Sequence, residues 1–177
     1  TIGRRQRQMC IRDRYGNVPD MNKLTELLEK YPKLHLYVDD AHGTSWIGQY
    51  GCGYVLSQVP LHDRMILTVS LGKGFGTMGG VLISKNEEPY RRVRTCGGTL
   101  IFSGPLSSSS LGAAIESAKI HLSSELIALQ KDLQNKIAYC NRLIAEAKLP
   151  AVREANTPIF YICLLYTSAS PRDTLLS

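Results

Sequence analysis

Two stretches of this chain decide its reading: YVDDAHG, from Tyr37 to Gly43, and SLGKGFG, from Ser70 to Gly76. The first closes a short apolar run, Leu34 to Val38, with two carboxylates and an imidazole. The second closes the apolar run Met65 to Val69 and sets Lys73 among Gly72, Gly74 and Gly76. Each run has the length and composition of a short buried strand. In open α/β sheets, ligands bind outside the carboxyl ends of the strands. Asp39 and Ser70, distant in sequence, are therefore expected at one edge.

The residue types at that edge suit one chemistry. Pyridoxal phosphate needs an amine that forms a Schiff base with its aldehyde. It also needs a carboxylate that keeps the ring nitrogen protonated, so that the ring can act as an electron sink. Lys73 can be the amine and Asp39 the carboxylate. The flanking glycines leave room for a ring, and desolvation there would lower the lysine pKa toward the nucleophilic neutral form. Ser70 can donate its hydroxyl to a phosphate oxygen where the strand stops. His42 can reach the ring's phenolate oxygen or stack near it. Blander readings exist for each residue alone. Asp39, Asp40 and His42 could be metal ligands, although no second His or Cys group follows at ligand spacing. Lys73 could be a solvated lysine in an ordinary glycine turn, His42 a satisfied structural histidine, and Ser70 a strand-end hydroxyl. The joint pattern is what favours the cofactor reading.

Beyond the single residues, VDDAHGTSWIGQYGCG (Val38 to Gly53) followed by TVSLGKGFGTMGG (Thr68 to Gly80) resembles the α-oxoamine synthase family, pyridoxal-phosphate enzymes of the class I/II aminotransferase fold. Two separated motifs in the right order make the resemblance specific. It implies an α/β architecture of fold type I: part of the large domain, a mostly parallel sheet with flanking helices, over residues 15–122. A bridging helix and the start of the small C-terminal domain would follow over residues 123–162. It also implies that Asp39 pairs with the pyridinium nitrogen, His42 contacts the phenolate side, Ser70 lies by the phosphate and Lys73 carries the cofactor. Lys73, His42 and Asp39 would be the catalytic set. The implied reaction is decarboxylative condensation of an amino acid with an acyl-CoA in a homodimeric enzyme. A class I/II aminotransferase and a non-catalytic scaffold subunit of a heterodimeric synthase are the alternatives, and the retained Lys73 speaks against the second. One departure is that Ser103 is followed by Gly104 and Pro105, where the family offers a hydroxyl pair for a cross-dimer phosphate contact. The family's N-terminal ring-stacking and phosphate-cradling elements, and its C-terminal substrate-binding arginine, have no counterpart here. The chain on its own is thus expected to lack part of the active site.

Both ends read differently. MCIRD (Met9 to Asp13) can be encoded ATG TGT ATA AGA GAC, and CLLYTS (Cys163 to Ser168) TGT CTC TTA TAC ACA TCT, its frame-shifted reverse complement. RRQRQ (Arg4 to Gln8) and SPRD (Ser170 to Asp173) fit the adapters that flank such a transposase end in sequencing libraries. Residues 1–14 and 163–177 are therefore expected to be translated adapter, outside the fold. The alternative is a genuine basic arm, of the kind that contacts nucleic acid or a membrane surface. Five Arg against one Asp in residues 1–14 supply +4 of the formal net charge of +6, so no nucleic-acid partner follows from the basic balance. Cys52, Cys96 and Cys140 lie between the two ends without CxxC spacing. Such thiols fit a reduced, cytoplasmic setting rather than a disulfide framework. No signal peptide or membrane-spanning apolar stretch is seen.

Elsewhere the pattern is helical or strand-like by turns. Pro19 and Asp20 open a helix that carries Leu24, Leu27 and Leu28 on one face and ends before Pro32. Gly79 to Ser84 reads as a third strand and Leu100 to Gly104 as a fourth. Ser107 to Ser110 is the polar entry to a helix bearing Leu111 and Ile115. Leu126, Leu129, Leu133, Ile137, Cys140 and Ile144 trace a helical packing stripe. Thr157 to Ile162 starts a last strand. Sequencing the source locus across Tyr15 and Ile162 tests the reading of the ends: synthase-like sequence without adapter is expected on both sides, and a genomic MCIRDR and CLLYTS would restore the basic arm.

Overall fold

The computed structural model describes residues 8–10, 18–101, 103–151 and 156–162. At its centre is a four-stranded sheet in the order β1 (Gln8–Cys10), β2 (Leu36–Asp39), β3 (Met65–Ser70) and β4 (Gly80–Ser84). The β1–β2 and β2–β3 pairs are parallel, and β4 returns antiparallel to β3. The expected mostly parallel α/β sheet is present. Two of the proposed adapter segments, 1–7 and 163–177, lie outside the described residues, as do 11–14. Gln8–Cys10, however, pairs with β2 from Gln8 opposite Tyr37 to Cys10 opposite Asp39, so three residues expected to stand apart from the fold occupy its edge. Backbone pairing needs an open strand edge and not a particular side chain, and β2 offers one.

Alternation along the strands decides what each face carries. Leu36 and Val38 of β2, with Met65 and Leu67 of β3, are buried against Met21 and Leu28 of α1 (Met21–Lys30) and against Val55 of α2 (Gly53–Gln58) and Val59 beyond it. Tyr37 and Asp39 point to the other face because successive strand side chains alternate, and Tyr37 is exposed. Asp20 caps α1 by accepting from the Asn22 and Lys23 amides at 3.1 and 3.2 Å, which also holds its carboxyl below the usual carboxylate range. Leu28 lies at the centre of the buried face with Leu24 beside it, whereas Leu27 is partly exposed.

Arg64, just before β3, closes the other end of α1. Its guanidinium donates to the carbonyls of Leu28 and of Tyr31 at 2.8 Å, acceptors at the helix end, and to that of Leu34 at 3.3 Å in the connection that follows. One side chain thereby joins helix, connection and strand. On the far side of the sheet's sequence, α3 (Glu87–Cys96) buries no residue.

Two expected strands are corrected. Gly98–Ile101 forms a short helical turn, α4, and residues 103–107 run exposed without regular structure, so no strand spans Leu100 to Gly104. A short apolar run fits a strand or a helical turn equally well, and among the described residues no strand pairs with this one. Likewise, Thr157 to Ile162 makes only an isolated antiparallel bridge, Ile162 to Ala151. The two helices expected between them are present. Ser107 caps α5 (Ser108–His121) by accepting from the Ser110 amide at 3.2 Å. Along α6 (Glu125–Glu146), Leu126 and Ile137 are buried, Leu133, Cys140 and Ile144 half-buried, and Leu129 half-exposed.

The Arg64 cap makes a stability prediction. Replacing Arg64 by Ala removes charge-assisted bonds to three carbonyls and should lower unfolding free energy by about 1–3 kcal/mol. A urea-unfolding midpoint equal to that of the unaltered protein would show that water replaces the guanidinium without cost.

Candidate active site

The neighbouring Asp39 and Asp40 take opposite roles because they sit on opposite faces of one strand end. Asp40, on the helix-covered face, is 1% exposed. Its Oδ2 accepts from the Val55 amide at 3.0 Å, in the first turn of α2. The residue at the start of α2, Cys52, makes no side-chain cap, so Asp40 supplies from the sheet the acceptor that the helix lacks locally. Its main chain is equally committed. The amide donates to Thr68 O at 2.8 Å, and the carbonyl accepts from Gly43 at 3.1 Å and from the Thr44 hydroxyl at 3.1 Å. Two glycines make room for the carboxylate. A Cβ on Gly43 would lie 2.0 Å from Asp40 Oδ1, and one on Gly53 2.4 Å from Oδ2.

Asp39 is half-buried on the open face, and its Oδ1 accepts from the Ala41 amide at 3.0 Å. That bond fixes the carboxylate and leaves further lone pairs for a ligand. His42 follows in the same turn, with its carbonyl accepting from the Trp46 indole. From the neighbouring strand end, Ser70 Oγ accepts from the Gly72 amide at 3.2 Å, which leaves its hydroxyl hydrogen for another acceptor. Lys73 then reaches back, so that its Nζ lies 2.8 Å from His42 Nε2 across 31 residues of sequence. All four residues singled out in the sequence thus lie at the carboxyl ends of β2 and β3 or on the loops that leave them.

The lysine turn is held by close backbone approach. The Gly76 amide donates to Lys73 O at 2.9 Å, closing the turn. A Cβ on Gly74 would come within 2.9 Å of Thr44 O and 3.1 Å of Ser45 Cβ, so glycine lets the two loops meet. Lys73 itself is exposed, against the expectation of a desolvated amine: the glycines bring backbone together without covering the side chain. Asp40 also bears on the metal alternative, since its carboxylate is committed to Val55. No group of three or more His, Cys, Asp or Glu residues with metal-binding geometry occurs among the described residues.

Several contributors carry no readable sequence signal. Gln130 of α6 donates through Nε2 to Ser45 O at 3.0 Å and to Gly48 O at 3.1 Å, tying the long helix to the aspartate loop. Ser45 takes a positive φ of 81°, unusual for a residue with a Cβ. Cys52 lies in the same loop, and burial pushes its thiol pKa up, which keeps it protonated. Cys52, Cys96 and Cys140 are free thiols. Ser103 is exposed and outside this group. For Asp40, the signal present but unused was the pair of glycines that follow it at Gly43 and Gly53.

A carboxylate, an imidazole, a strand-end hydroxyl and a lysine in a glycine turn are the groups that a pyridoxal phosphate site calls for: an amine for the aldehyde, a carboxylate for the ring nitrogen and a donor for the phosphate. An α/β sheet that carries this set beyond its parallel strand ends defines a pyridoxal-phosphate transferase fold. The aminotransferase class I and II family profile matches residues 13–170, and the chain belongs to that family.

Its relatives narrow the group. The chain is 34% identical over 106 residues to 8-amino-7-oxononanoate synthase of Thermosipho melanesiensis, covering 59% of this chain and 26% of that protein. It is 29% identical over 137 residues to the erythroid-specific mitochondrial 5-aminolevulinate synthase of Danio rerio, covering 77% and 23%. The chain therefore spans about a quarter of the length of the curated relatives it matches. Among solved structures, 8-amino-7-oxononanoate synthase of Francisella tularensis superposes with a TM-score of 0.68 at 23% identity, over 92% of this chain and 48% of that one. Serine palmitoyltransferase of Sphingomonas wittichii gives a TM-score of 0.72 at 18% identity, over 86% and 38%. These relatives are α-oxoamine synthases, as the motifs suggested.

The packing around Asp40 can be tested directly. Gly43→Ala places a methyl group on a buried carboxylate and should destabilise the protein by about 1–3 kcal/mol. Unchanged thermal unfolding of that variant would mean that Asp40 can swing away without cost.

Proposed function

We propose that this chain is a segment of a pyridoxal-phosphate-dependent acyltransferase that condenses an amino acid with an acyl-CoA, with decarboxylation, to an α-amino ketone. The observation that carries the reading is the 2.8 Å approach of Lys73 Nζ to His42 Nε2, beside the strand end that presents Asp39. The relatives named as synthases support the acyl transfer. When bound, pyridoxal phosphate supplies the electron sink that makes the α-carbon of the amino acid acidic.

The chain's own residues divide the work by position. Lys73 Nζ would hold the cofactor aldehyde and would be the base that takes the α-proton of the amino acid. His42 Nε2, 2.8 Å from Nζ, orients that amine by accepting one of its N–H hydrogens. Asp39 would hold the proton on the ring nitrogen, its carboxylate fixed by the Ala41 amide. Ser70 would donate its hydroxyl to the phosphate while its oxygen keeps the Gly72 amide. We assign residues 15–122 to the large cofactor domain and residues 123–162 to the bridging helix and the beginning of the small domain. The full-length enzyme would act as a homodimer on an amino acid and an acyl-CoA, and the free thiols suit a cytoplasmic setting. No helix among the described residues is long and apolar enough to cross a membrane.

Variants of the full-length protein test these roles. Lys73→Ala should abolish covalent capture of pyridoxal phosphate. Asp39→Ala should cost about 1 kcal/mol of stability, for the lost amide bond, while turnover falls by about a hundredfold or more. Wild-type-like turnover in Asp39→Ala would remove the ring-nitrogen role. The products discriminate the reaction: free thiol from acyl-CoA is expected, and keto acid release without thiol would make the enzyme an aminotransferase.

A further inference from the structure

The buried imidazole of His121 has no part in the chemistry above, yet it touches both loops that do. It is the last residue of α5 and is 9% exposed. Its Nδ1 lies 2.7 Å from the Ser117 carbonyl. A carbonyl only accepts, so Nδ1 carries the hydrogen, and the ring plane is fixed relative to α5. The ring packs on Phe75 with centroids 4.6 Å apart and a tilt of 35°. One helical turn earlier, the Ser117 hydroxyl donates to Phe75 O at 2.6 Å. The same turn of α5 therefore grips Phe75 by its ring and by its backbone.

Phe75 lies inside the turn that the Gly76 amide closes onto Lys73 O, so the placement of Phe75 sets the placement of Lys73. On its other edge, His121 abuts the aspartate loop. A Cβ on Gly51 would fall 2.8 Å from His121 Cδ2 and 2.7 Å from Ser45 Cα. Gly51 in turn accepts from the Ser45 amide at 2.9 Å. A residue that merely filled this space would be apolar. A buried imidazole bonded through Nδ1 instead fixes direction as well as volume.

We propose that His121 is a positioning residue which, through Phe75, sets Lys73 against His42 and so governs capture of the cofactor aldehyde. The inference rests on the cofactor reading of Lys73 and adds to it a residue from α5. In the full-length protein, the rate of covalent capture of added pyridoxal phosphate would be followed by absorbance, beside urea unfolding of the cofactor-free form. His121→Ala and His121→Phe should slow capture by about tenfold to a hundredfold, because small misplacements of a reacting group carry penalties of that order. His121→Asn, whose side-chain amide can replace Nδ1–H, should recover most of the rate while unfolding at the same midpoint as His121→Ala.

Capture by His121→Ala and His121→Phe within about twofold of wild type would overturn the proposal, and so would a His121→Asn variant no faster than His121→Ala. If His121→Ala does not fold, Ser117→Ala takes its place, since it removes the bond to Phe75 O and keeps the ring. Slower capture supports the proposal, and wild-type capture overturns it. A wild-type protein that captures no cofactor would instead remove the reading of Lys73, and this one with it.

Discussion

A buried carboxylate organises this structure. Asp40 leaves the sheet on its covered face, takes the Val55 amide at the start of α2, and receives the turn amides of the loop that follows. The turn amides bond its main-chain carbonyl, while the carboxylate is met at Oδ2 by the Val55 amide, a bond that the low-dielectric surroundings strengthen. Because the side chain is held, the path of residues 41–53 is held with it, and His42 and Ser45 acquire their places. The two glycines that would otherwise strike the carboxylate belong to the same constraint.

The parallel pairing of β2 with β3 supplies the second coordinate. Asp39 stands opposite Thr68, and the Asp40 amide bonds Thr68 O, which sets the aspartate loop level with the exit of β3. The lysine turn begins there and packs on residues 44–45 at Gly74. From behind, α5 and α6 each send a polar side chain into the loops: Ser117 to Phe75, and Gln130 to Ser45 and Gly48. Lys73 and His42 stay exposed and Asp39 and Ser70 half-buried, while Ser117 and Gln130 hold the loops from half-buried positions behind them.

The segments that read wrongly share a cause. Leu100 to Gly104 and Thr157 to Ile162 are apolar enough for strands, but a strand exists only where a partner accepts its hydrogen bonds. The sheet ends with β4 among the described residues, so the first became a helical turn beside an exposed run, and the second a single bridge. Conversely, Gln8–Cys10, read as foreign to the fold from its coding sequence, found the open edge of β2. Local composition does not record which edges are free.

From the sequence alone came the cofactor chemistry, the α/β class and the proposal of Asp39, His42, Ser70 and Lys73 as the residues that would serve it. These were legible because each depends on residue type at short range: a carboxylate ending a strand, a lysine among glycines, a hydroxyl where an apolar run stops. Tertiary structure alone decided that Asp40 rather than Asp39 would be the buried anchor, that Lys73 would meet His42, and that His121 and Gln130 would hold the loops between them. Those choices rest on strand alternation and on contacts between residues far apart in the chain, and no periodicity within either motif encodes which distant side chain will fill the space beneath it.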